Sequence, residues 1–299
     1  MTELYGIIES YNVGTHDTDS LTVVNAKAER LTIRLEPTQT LTLRALYHFT
    51  VEPIVYKEKD QLKLLEATPF EEKALPVVEK LTILKDFYPT TEEDPQALVN
   101  LIDKTLEAIQ NPTIHALTKS LLDTHKEAFF LFPAATKFHH AYIGGVAHHT
   151  ATMLKLADGF LEVYPYLNAD LLKAGILLHD LFKTVELTDY KAPEYGPVGR
   201  LIGHITLGAQ AIYHAAHELG VFDHEERILL EHMVLSHHYY GNFGSPKKPN
   251  LAEALALHYI DNIDSKFVVL GETLAQTAPG EFTPPLQILD RERFYKPKS

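Results

Sequence analysis

The chain has 299 residues, of which 45% are hydrophobic and 22% charged, so it is long and apolar enough to bury a substantial core. Its formal net charge of −13 argues against a broad nucleic-acid-binding surface, although it leaves room for a local basic channel. The absence of cysteine excludes disulfides and thiolate metal sites, so any metal must be held by His and carboxylate side chains.

Residues 1 to about 75 are predicted to be β-rich. Short segments enriched in β-branched residues begin near residues 4, 20, 30, 41 and 61, and turn-like DTDS, EPTQ and KEKD separate them. Five strands at this spacing predict a small antiparallel barrel of the OB type. Such barrels often stack single-stranded bases on aromatic side chains, but this segment is not basic. We therefore interpret its aromatic residues mainly as core: Tyr5, Tyr11, Tyr47, Phe49 and Tyr56.

From Pro76 onward the pattern is helical. The stretch TTEEDP at residues 90–95 is a helix start, because capping and acidic residues precede a proline. The resulting fold class is multidomain α+β, with a barrel at 1–75, connecting helices at 76–137 and an all-α bundle at 138–299. Helices are predicted at 96–110, 113–130, 145–163, 170–184, 203–219, 224–238 and 251–270, with loops at 192–200 and 241–250.

The stretch LLKAGILLHDLFK at residues 171–183 is the centre of the bundle. It is an apolar helical run that ends in His179 and Asp180, with Lys183 three residues further on. Burying an unpaired carboxylate costs several kcal/mol, so a cationic group is expected against Asp180. Taken alone, the pair can also be a His–Asp hydrogen bond that satisfies both side chains.

Other helices also turn a His or an Asp toward their apolar faces. His149 shares a face with Met153 and Phe160, whereas His148 lies about 100° around the helix on the polar side. One inward His is commonly a hydrogen-bonded core residue, but several helices converging in this way predict a mono- or binuclear metal site. The candidate ligands are His149, His179, Asp180, His204, His237 and Asp261.

The segments HHAYIGGVAHHT, LLHDLFK, LIGHI, LSHHYYGNFGSPKKP and LHYIDNIDSK resemble the HD-domain metal-dependent phosphohydrolases. Within that superfamily they are similar to the YhaM-type 3′-to-5′ exoribonucleases, also described as CMP-binding-factor proteins. The resemblance implies an OB-fold nucleic-acid-binding barrel followed by an HD-domain helical bundle. It also implies four minimal metal ligands, two histidines added in binuclear sites, and a bridging role for Asp180. The minimal ligands are His149, His179, Asp180 and Asp261, and the added histidines are His204 and His237.

The same resemblance implies further roles. Asp180 and Lys183 are the implied catalytic residues, and Lys183 is suited to meet a substrate phosphate. Substrate contacts are implied for His238, Ser245 and Lys247, and a position behind the metal ligands is implied for Asp264.

Two residues depart from the family's pattern. Phe182 replaces a small glycine, which could narrow the mouth of the site, and His148 replaces an acidic residue. Two features are open to either a substrate or a structural role. They are the Lys247–Lys248 pair in the loop at 241–250 and the aromatic residues Tyr142, Tyr239, Tyr240 and Phe243.

The predicted function is metal-assisted phosphodiester hydrolysis, as a 3′-to-5′ exoribonuclease on single-stranded RNA, with DNA as an alternative. The resemblance favours one or two Mn²⁺ ions, and Fe, Zn, Co, Ni and Mg stay open. One alternative is a phosphohydrolase of small nucleotides or cyclic dinucleotides. Another is a nucleic-acid-binding protein in which a metal only stabilises the HD scaffold.

The sequence predicts a cytoplasmic protein without a membrane partner. No apolar run approaches the roughly 20 residues of a membrane span, and the segment MTELYGIIES lacks the features of a signal peptide. The absence of cysteine fits this expectation. The sequence leaves the oligomeric state open, including a homo-oligomer.

Overall fold

A computed structural model describes residues 1–13, 19–36, 41–56, 58–137 and 140–298, with the backbone alone at Phe243. Parts of the predicted turns near residues 17, 37 and 57 lie outside these ranges, as does His139 of the HHAYIGGVAHHT segment. The chain divides into two compact units, Met1–Pro89 and Thr90–Ser299. Within the described ranges, none of the helices combines the length and apolar character needed to cross a membrane.

The first unit contains the predicted barrel. Its strands are β1 (Thr2–Asn12), β2 (Asp19–Asn25), β3 (Arg30–Leu35), β4 (Leu46–Tyr56) and β5 (Lys59–Pro69). They close in the order β1-β2-β3-β5-β4, which fits the OB fold. One pairing differs from the antiparallel prediction, because β3 and β5 are parallel. Consecutive strands alternate in direction, so two odd-numbered strands that become neighbours must run the same way.

The barrel interior is filled by side chains that alternate along the strands. Leu21, Val23 and Ile33 are fully buried there, as the two-residue period of a strand requires. Tyr47 and Phe49 belong to this core, which confirms their interpretation as core residues, and Tyr11 packs against it. Tyr56 and Tyr5 lie outside that cluster. The Tyr56 ring is covered by the Arg34 guanidinium, and the Tyr5 ring is tilted against His48.

The second unit is helical, as predicted. Asp94 accepts hydrogen bonds from the backbone N–H groups of Gln96 and Ala97, so Pro95 is the first helical residue. The helix α1 (Val77–Leu84) belongs to the first unit. The others are α2 (Pro95–Glu107), α3 (Pro112–Leu131), α4 (Gly145–Val163), α5 (Ala169–Leu178), α6 (Lys183–Glu186), α7 (Pro197–Leu201), α8 (His204–Glu218), α9 (Glu225–Ser236) and α10 (Ala252–Gln276).

Four predicted helices have wrong boundaries, of which the one predicted at 96–110 ends three residues early, at Glu107. The helix predicted at 170–184 is interrupted, because α5 ends at Leu178 and α6 starts at Lys183. The helix predicted at 224–238 ends at Ser236, whereas the one predicted to end at residue 270 continues to Gln276. The errors at Leu178 and Ser236 fall where histidine side chains bond to helix carbonyls, and sequence periodicity does not register such bonds. The loop predicted at 192–200 also contains most of the short helix α7.

The helix α5 lies at the centre of the second unit, in contact with α3, α4, α9 and α10. A side chain at Gly175 would collide with Met233, and one at Gly208 would lie 2.9 Å from a Val234 methyl group. These glycines allow α9 to approach α5 and α8 closely. The two helices predicted as connectors, α2 and α3, pack on α4 and α5. The three-way division at residues 75 and 137 stays a prediction.

Candidate metal centre

The six predicted ligands come together around Asp180. His149 projects from α4, and Asp261 projects from α10. The others lie at helix ends: His179 and Asp180 follow α5, His204 begins α8, and His237 follows α9. The Asp180 carboxylate is 2% exposed and faces imidazole nitrogens on both sides. Residues from five helices or helix ends therefore converge on one buried carboxylate.

The end of α5 explains how two adjacent residues both face inward. Neighbours in a continuous α-helix point about 100° apart. Here the chain tightens after Leu178, and Lys183 donates its backbone N–H to the carbonyl of Asp180, three residues back. His179 donates Nδ1–H to the carbonyl oxygen of Ile176 at 2.8 Å, which satisfies a helix-end carbonyl. Its Nε2 therefore carries the lone pair and points toward Asp180.

The end of α9 repeats this arrangement. His237 donates Nδ1–H to the carbonyl oxygen of Val234 at 2.8 Å, again three residues back. Its Nε2 lies 3.9 Å from Asp180 Oδ1. Both α5 and α9 thus direct their C-termini at the same carboxylate. Helix C-termini carry partial negative charge, which favours a cation between them.

The other two histidines bond to buried carboxylates. His149 Nδ1 donates to Asp264 Oδ2 at 2.6 Å, and His204 Nδ1 donates to Glu186 Oε2 at 3.0 Å. In both rings Nε2 is left to face the cluster. Metal-binding histidines usually hold their second nitrogen in this way, because the bond fixes the tautomer and makes the ligating nitrogen more basic.

The inward-facing atoms form two groups around the two oxygens of Asp180. Oδ2 lies 3.4 Å from His179 Nε2 and 3.8 Å from His149 Nε2. Oδ1 lies 3.4 Å from His204 Nε2 and 3.9 Å from His237 Nε2. Donor atoms within 4.8 Å of one another define one group of His149, His179 and Asp261 and another of Asp180, His204, His237 and His238.

Three atoms in this cluster test whether a metal fits. Asp180 Oδ1, His204 Nε2 and His237 Nε2 are buried, and the described residues offer them no hydrogen-bond partner. Unsatisfied buried polar atoms are costly, and here they face one another as acceptors. A divalent cation between them satisfies all three, and neutral imidazole with carboxylate is a donor set for such ions. The residues therefore fit a metal ion.

The electrostatics also favour bound positive charge. Burial alone would raise the pKa of Asp180, but Lys183 and the nearby histidines hold it well below its ordinary value. Burial would lower the pKa of His149, yet Asp261 and Asp264 outweigh it and raise that pKa to about 9. Burial holds the pKa of His237 well below its ordinary value, so this ring is neutral, whereas His149 holds a proton that a bound cation would displace.

Comparison with known proteins agrees with this geometry. A family model described as the HD domain matches residues 146–266. The chain is 38% identical over 262 residues to the 3'-5' exoribonuclease YhaM of Shouchella clausii (strain KSM-K16), covering 88% of this chain and 80% of the relative. The chain belongs to the YhaM family of HD-domain proteins.

Two further relatives in the YhaM family carry the same name. The one from Bacillus pumilus (strain SAFR-032) is 40% identical over 242 residues, which covers 81% of this chain and 75% of the relative. The one from Geobacillus sp. (strain WCH70) is 43% identical over 214 residues, covering 72% of this chain and 66% of the relative. No solved structure matches the chain. The HD domain implies a divalent metal, and the His and Asp groups described above are able to hold it.

The predicted substrate residues of this YhaM-family chain lie in different settings. Lys183 Nζ is 2.7 Å from Asp180 Oδ2, which places it at the cluster. Ser245 is buried, and its hydroxyl accepts the backbone N–H of His238 at 3.0 Å, so it shapes the turn after α9. Lys247 and Lys248 are exposed, and Lys248 lies over the Tyr239 ring. His238 lies among the potential ligands.

Two departures from the YhaM-type pattern have structural consequences. Phe182 is 7% exposed and packs its ring against the His125 ring, near Gly208. The turn after α5 therefore directs this ring into the helix packing, and its effect on the mouth of the site stays a prediction. His148 lies on the less buried side of α4, as predicted, and its Nδ1 bonds to Tyr142 and Thr91.

Sequence reasoning missed two buried polar residues that hold histidines of the cluster, one by a direct bond and one through Asp264. Glu186 bonds to His204, and His140 bonds through Nε2 to Asp264 at 2.9 Å. The sequence offered a signal for Glu186 only in its position between Val185 and Leu187, because an acidic residue buried with apolar neighbours requires a partner. His140 offered only its membership of a histidine-rich segment. Tyr142, a candidate base-stacking residue, instead bonds to His140 and His148, and the side chain of Phe243 lies outside the described residues.

Proposed function

We propose that this protein is a metal-dependent 3′-to-5′ exoribonuclease that removes nucleotides from single-stranded RNA. The observation that carries the proposal is Asp180, whose two carboxylate oxygens face separate pairs of imidazole nitrogens. Membership of the YhaM family supports the substrate class and the direction of cleavage.

We assign six residues to metal binding, and we propose Mn²⁺, as one or two ions. A divalent ion at such a site supplies Lewis-acid stabilisation of phosphoryl oxygens and activation of water. Asp180 lies between the two groups of ligands, and its lowered pKa keeps it ionised, so its carboxylate would be available to an ion held by either group. The ligands are His149, His179, Asp180, His204, His237 and Asp261, with His238 adjoining the second group.

Lys183 is the proposed phosphate-binding residue. Its side chain is 14% exposed, as against 3% for Asp180, so it lies on the solvent side of the cluster. Burial would lower the pKa of Lys183, but the Asp180 carboxylate outweighs this and raises it, which keeps the ammonium charged. A charged ammonium there stabilises the negative charge that develops on phosphoryl oxygens during hydrolysis. Further contacts to the nucleotide are proposed for Lys247 and His238.

Asp180→Asn tests the proposal while preserving side-chain shape. The chelated protein is given Mn²⁺ and a 10-nucleotide RNA labelled at its 5′ end. The native protein should shorten the RNA stepwise from its 3′ end, and Asp180→Asn should lower the rate by about 100-fold or more and reduce metal content. The matched control is Asp158→Asn, which changes an exposed aspartate paired with Lys173. Full activity and metal content in Asp180→Asn would refute the assignment.

Substrate and metal are settled by parallel assays. Single-stranded DNA, a mononucleotide panel and a cyclic dinucleotide are compared with the RNA, because the alternative phosphohydrolase would prefer the small substrates. Salt-dependent RNA binding without turnover would support the alternative in which the protein only binds nucleic acid. Replacing Mn²⁺ by Fe²⁺, Zn²⁺, Co²⁺, Ni²⁺ or Mg²⁺ tests metal identity. The cytoplasmic location stays a prediction of the sequence, which makes none about the oligomeric state.

A further inference from the structure

A buried hydrogen-bond chain extends from the metal cluster toward the start of α4. His140 Nε2 and His149 Nδ1 both bond to the same atom, Asp264 Oδ2, at 2.9 and 2.6 Å. On its other side, His140 Nδ1 bonds to the Tyr142 hydroxyl at 2.8 Å. That hydroxyl also lies 2.7 Å from His148 Nδ1. Both nitrogens of the His140 ring are therefore engaged, and the ring is 1% exposed.

The donors and acceptors in this chain fix one another. Asp264 Oδ2 lies within hydrogen-bond distance of one nitrogen of each ring, so this carboxylate accepts from both His140 and His149. His140 must then carry its proton on Nε2, which leaves Nδ1 to accept the proton of the Tyr142 hydroxyl. The Tyr142 oxygen in turn accepts from His148. In this arrangement every bond of the chain has one donor and one acceptor, and the Thr91 hydroxyl also lies 3.1 Å from the same His148 nitrogen.

The backbone of His140 is also held in place. His140 adopts a left-handed conformation with φ of 53°, which is unfavourable for a residue with a side chain. Its carbonyl oxygen accepts the backbone N–H of Ala134 at 3.0 Å. The absence of a side chain at Gly145 permits this position, because a Cβ there would lie 2.0 Å from the same oxygen. The surrounding fold holds the conformation that directs the ring at Asp264.

We propose that His140 is a positioning residue for metal binding, which acts by holding the Asp264 carboxylate against His149. With His140 in place, Asp264 has one orientation and accepts Nδ1–H of His149, so His149 Nε2 faces Asp180 and Asp261. Without it, Asp264 loses its second imidazole donor and its orientation. The inference rests on the proposed function insofar as His149 binds metal.

The test measures the dissociation constant of Mn²⁺ for the chelator-treated protein by competition with a chromophoric chelator. His140→Ala should raise it about 10-fold, the lower end of the effect of residues behind metal ligands. His140→Gln should recover part of the loss, because its amide can donate to Asp264. Tyr142→Phe, which removes the hydroxyl bonded to His140 Nδ1, should raise the constant by a smaller factor than His140→Ala does. His115→Ala, a weakly paired histidine on α3, should match the native protein.

The free energy of unfolding in EDTA separates positioning from general destabilisation. Positioning predicts that Tyr142→Phe remains folded in EDTA, at a cost in the free energy of unfolding for the ring nitrogens left unpaired, while its Mn²⁺ affinity falls. Native affinity in both His140→Ala and Tyr142→Phe would overturn the inference, and if His140→Ala does not fold, native affinity in Tyr142→Phe alone would overturn it. The inference would also be refuted if the loss of Mn²⁺ affinity in every variant were proportional to its loss of unfolding free energy. If the proposed function fails, the native protein and Asp180→Ala bind Mn²⁺ with equal affinity. That result distinguishes its failure from failure of the inference about His140.

Discussion

The histidines of the cluster each have two separate tasks. In four of them Nδ1 bonds to an acceptor, a helix carbonyl for His179 and His237 and a carboxylate for His149 and His204. The bond fixes the tautomer, and Nε2 then faces Asp180. The acceptor sets how basic that nitrogen is, because a carboxylate draws the Nδ1 proton more strongly than a carbonyl does. Glu186 therefore matters to the cluster although it faces no potential ligand except His204.

Glu186→Gln is expected to weaken binding of the ion held by His204. The amide oxygen can still accept from His204, but the negative charge that makes its Nε2 more basic is lost. Affinity at this site should fall by about 10-fold, and the group containing His149 and His179 should keep its affinity. Calorimetric titration of the apo protein with Mn²⁺ measures the affinities of both groups of ligands. Glu231→Gln, at a carboxylate bonded to Arg227, is the control, and equal weakening of both steps would contradict the expectation.

At the scale of elements, the site is built at helix ends. The C-termini of α5 and α9 point at Asp180, and α8 begins with a potential ligand. The segment between α6 and α8 folds back on Glu186, whose carbonyl oxygen accepts the backbone N–H of Gly196 at 3.2 Å. A Cβ at Gly199 would lie 2.3 Å from that oxygen and 2.7 Å from Glu186 Cγ. Gly199 thus permits the close approach that holds Glu186 beside His204.

Gly199→Ala should therefore destabilise the protein. The neighbouring atoms include backbone, so the chain must shift, at a cost of about 1 to 3 kcal/mol in the free energy of unfolding. The control is Gly159→Ala in α4, where a Cβ meets no described atom within 4 Å. That substitution should raise the free energy of unfolding by about 0.5 to 1 kcal/mol, since alanine favours helix. Urea unfolding in EDTA measures both, and equal effects would contradict the packing argument.

At the scale of the whole molecule, the chain combines a small barrel and a larger helical unit. Every proposed ligand belongs to the unit Thr90–Ser299, and they come from α4 through α10. An ion held by all of them joins segments more than 100 residues apart in the chain, as the bond between His149 and Asp264 already does. Metal binding is thereby linked to the stability of this unit, because an ion that binds only the folded state stabilises it.

Hydrogen exchange should show where the metal acts. At a concentration 100-fold above the dissociation constant, Mn²⁺ adds about 2.7 kcal/mol, which slows exchange through global opening by about 100-fold. Protection should appear at the ends of α5 and α9 and around Asp261, and it should be absent from β1 to β5. Mass spectrometry of the protein with Mn²⁺ and with EDTA measures this. Equal protection of the barrel, or none near Asp261, would contradict the proposed ligand set.

Much of this protein follows from local sequence patterns. The change from strands to helices, the helix start near Pro95, and the inward side of His149 depend on neighbouring residues only, so periodicity and capping chemistry predicted them. The identity of the potential ligands also followed, because inward polar residues on apolar faces need a shared partner. The helix ends at Leu178 and Ser236 did not follow from local patterns, since they coincide with bonds from histidine side chains to helix carbonyls.

The sequence by itself determined the order of barrel and bundle and the set of inward His and Asp residues. Only the tertiary structure decided how they are oriented: which nitrogen of each ring faces Asp180, how its two oxygens divide the ligands, and that Phe182 turns into the packing. It also revealed His140, whose contact with Asp264 spans 124 residues of sequence. Contacts between such distant segments arise from the packing of whole helices, and the neighbours of a residue in sequence do not encode them.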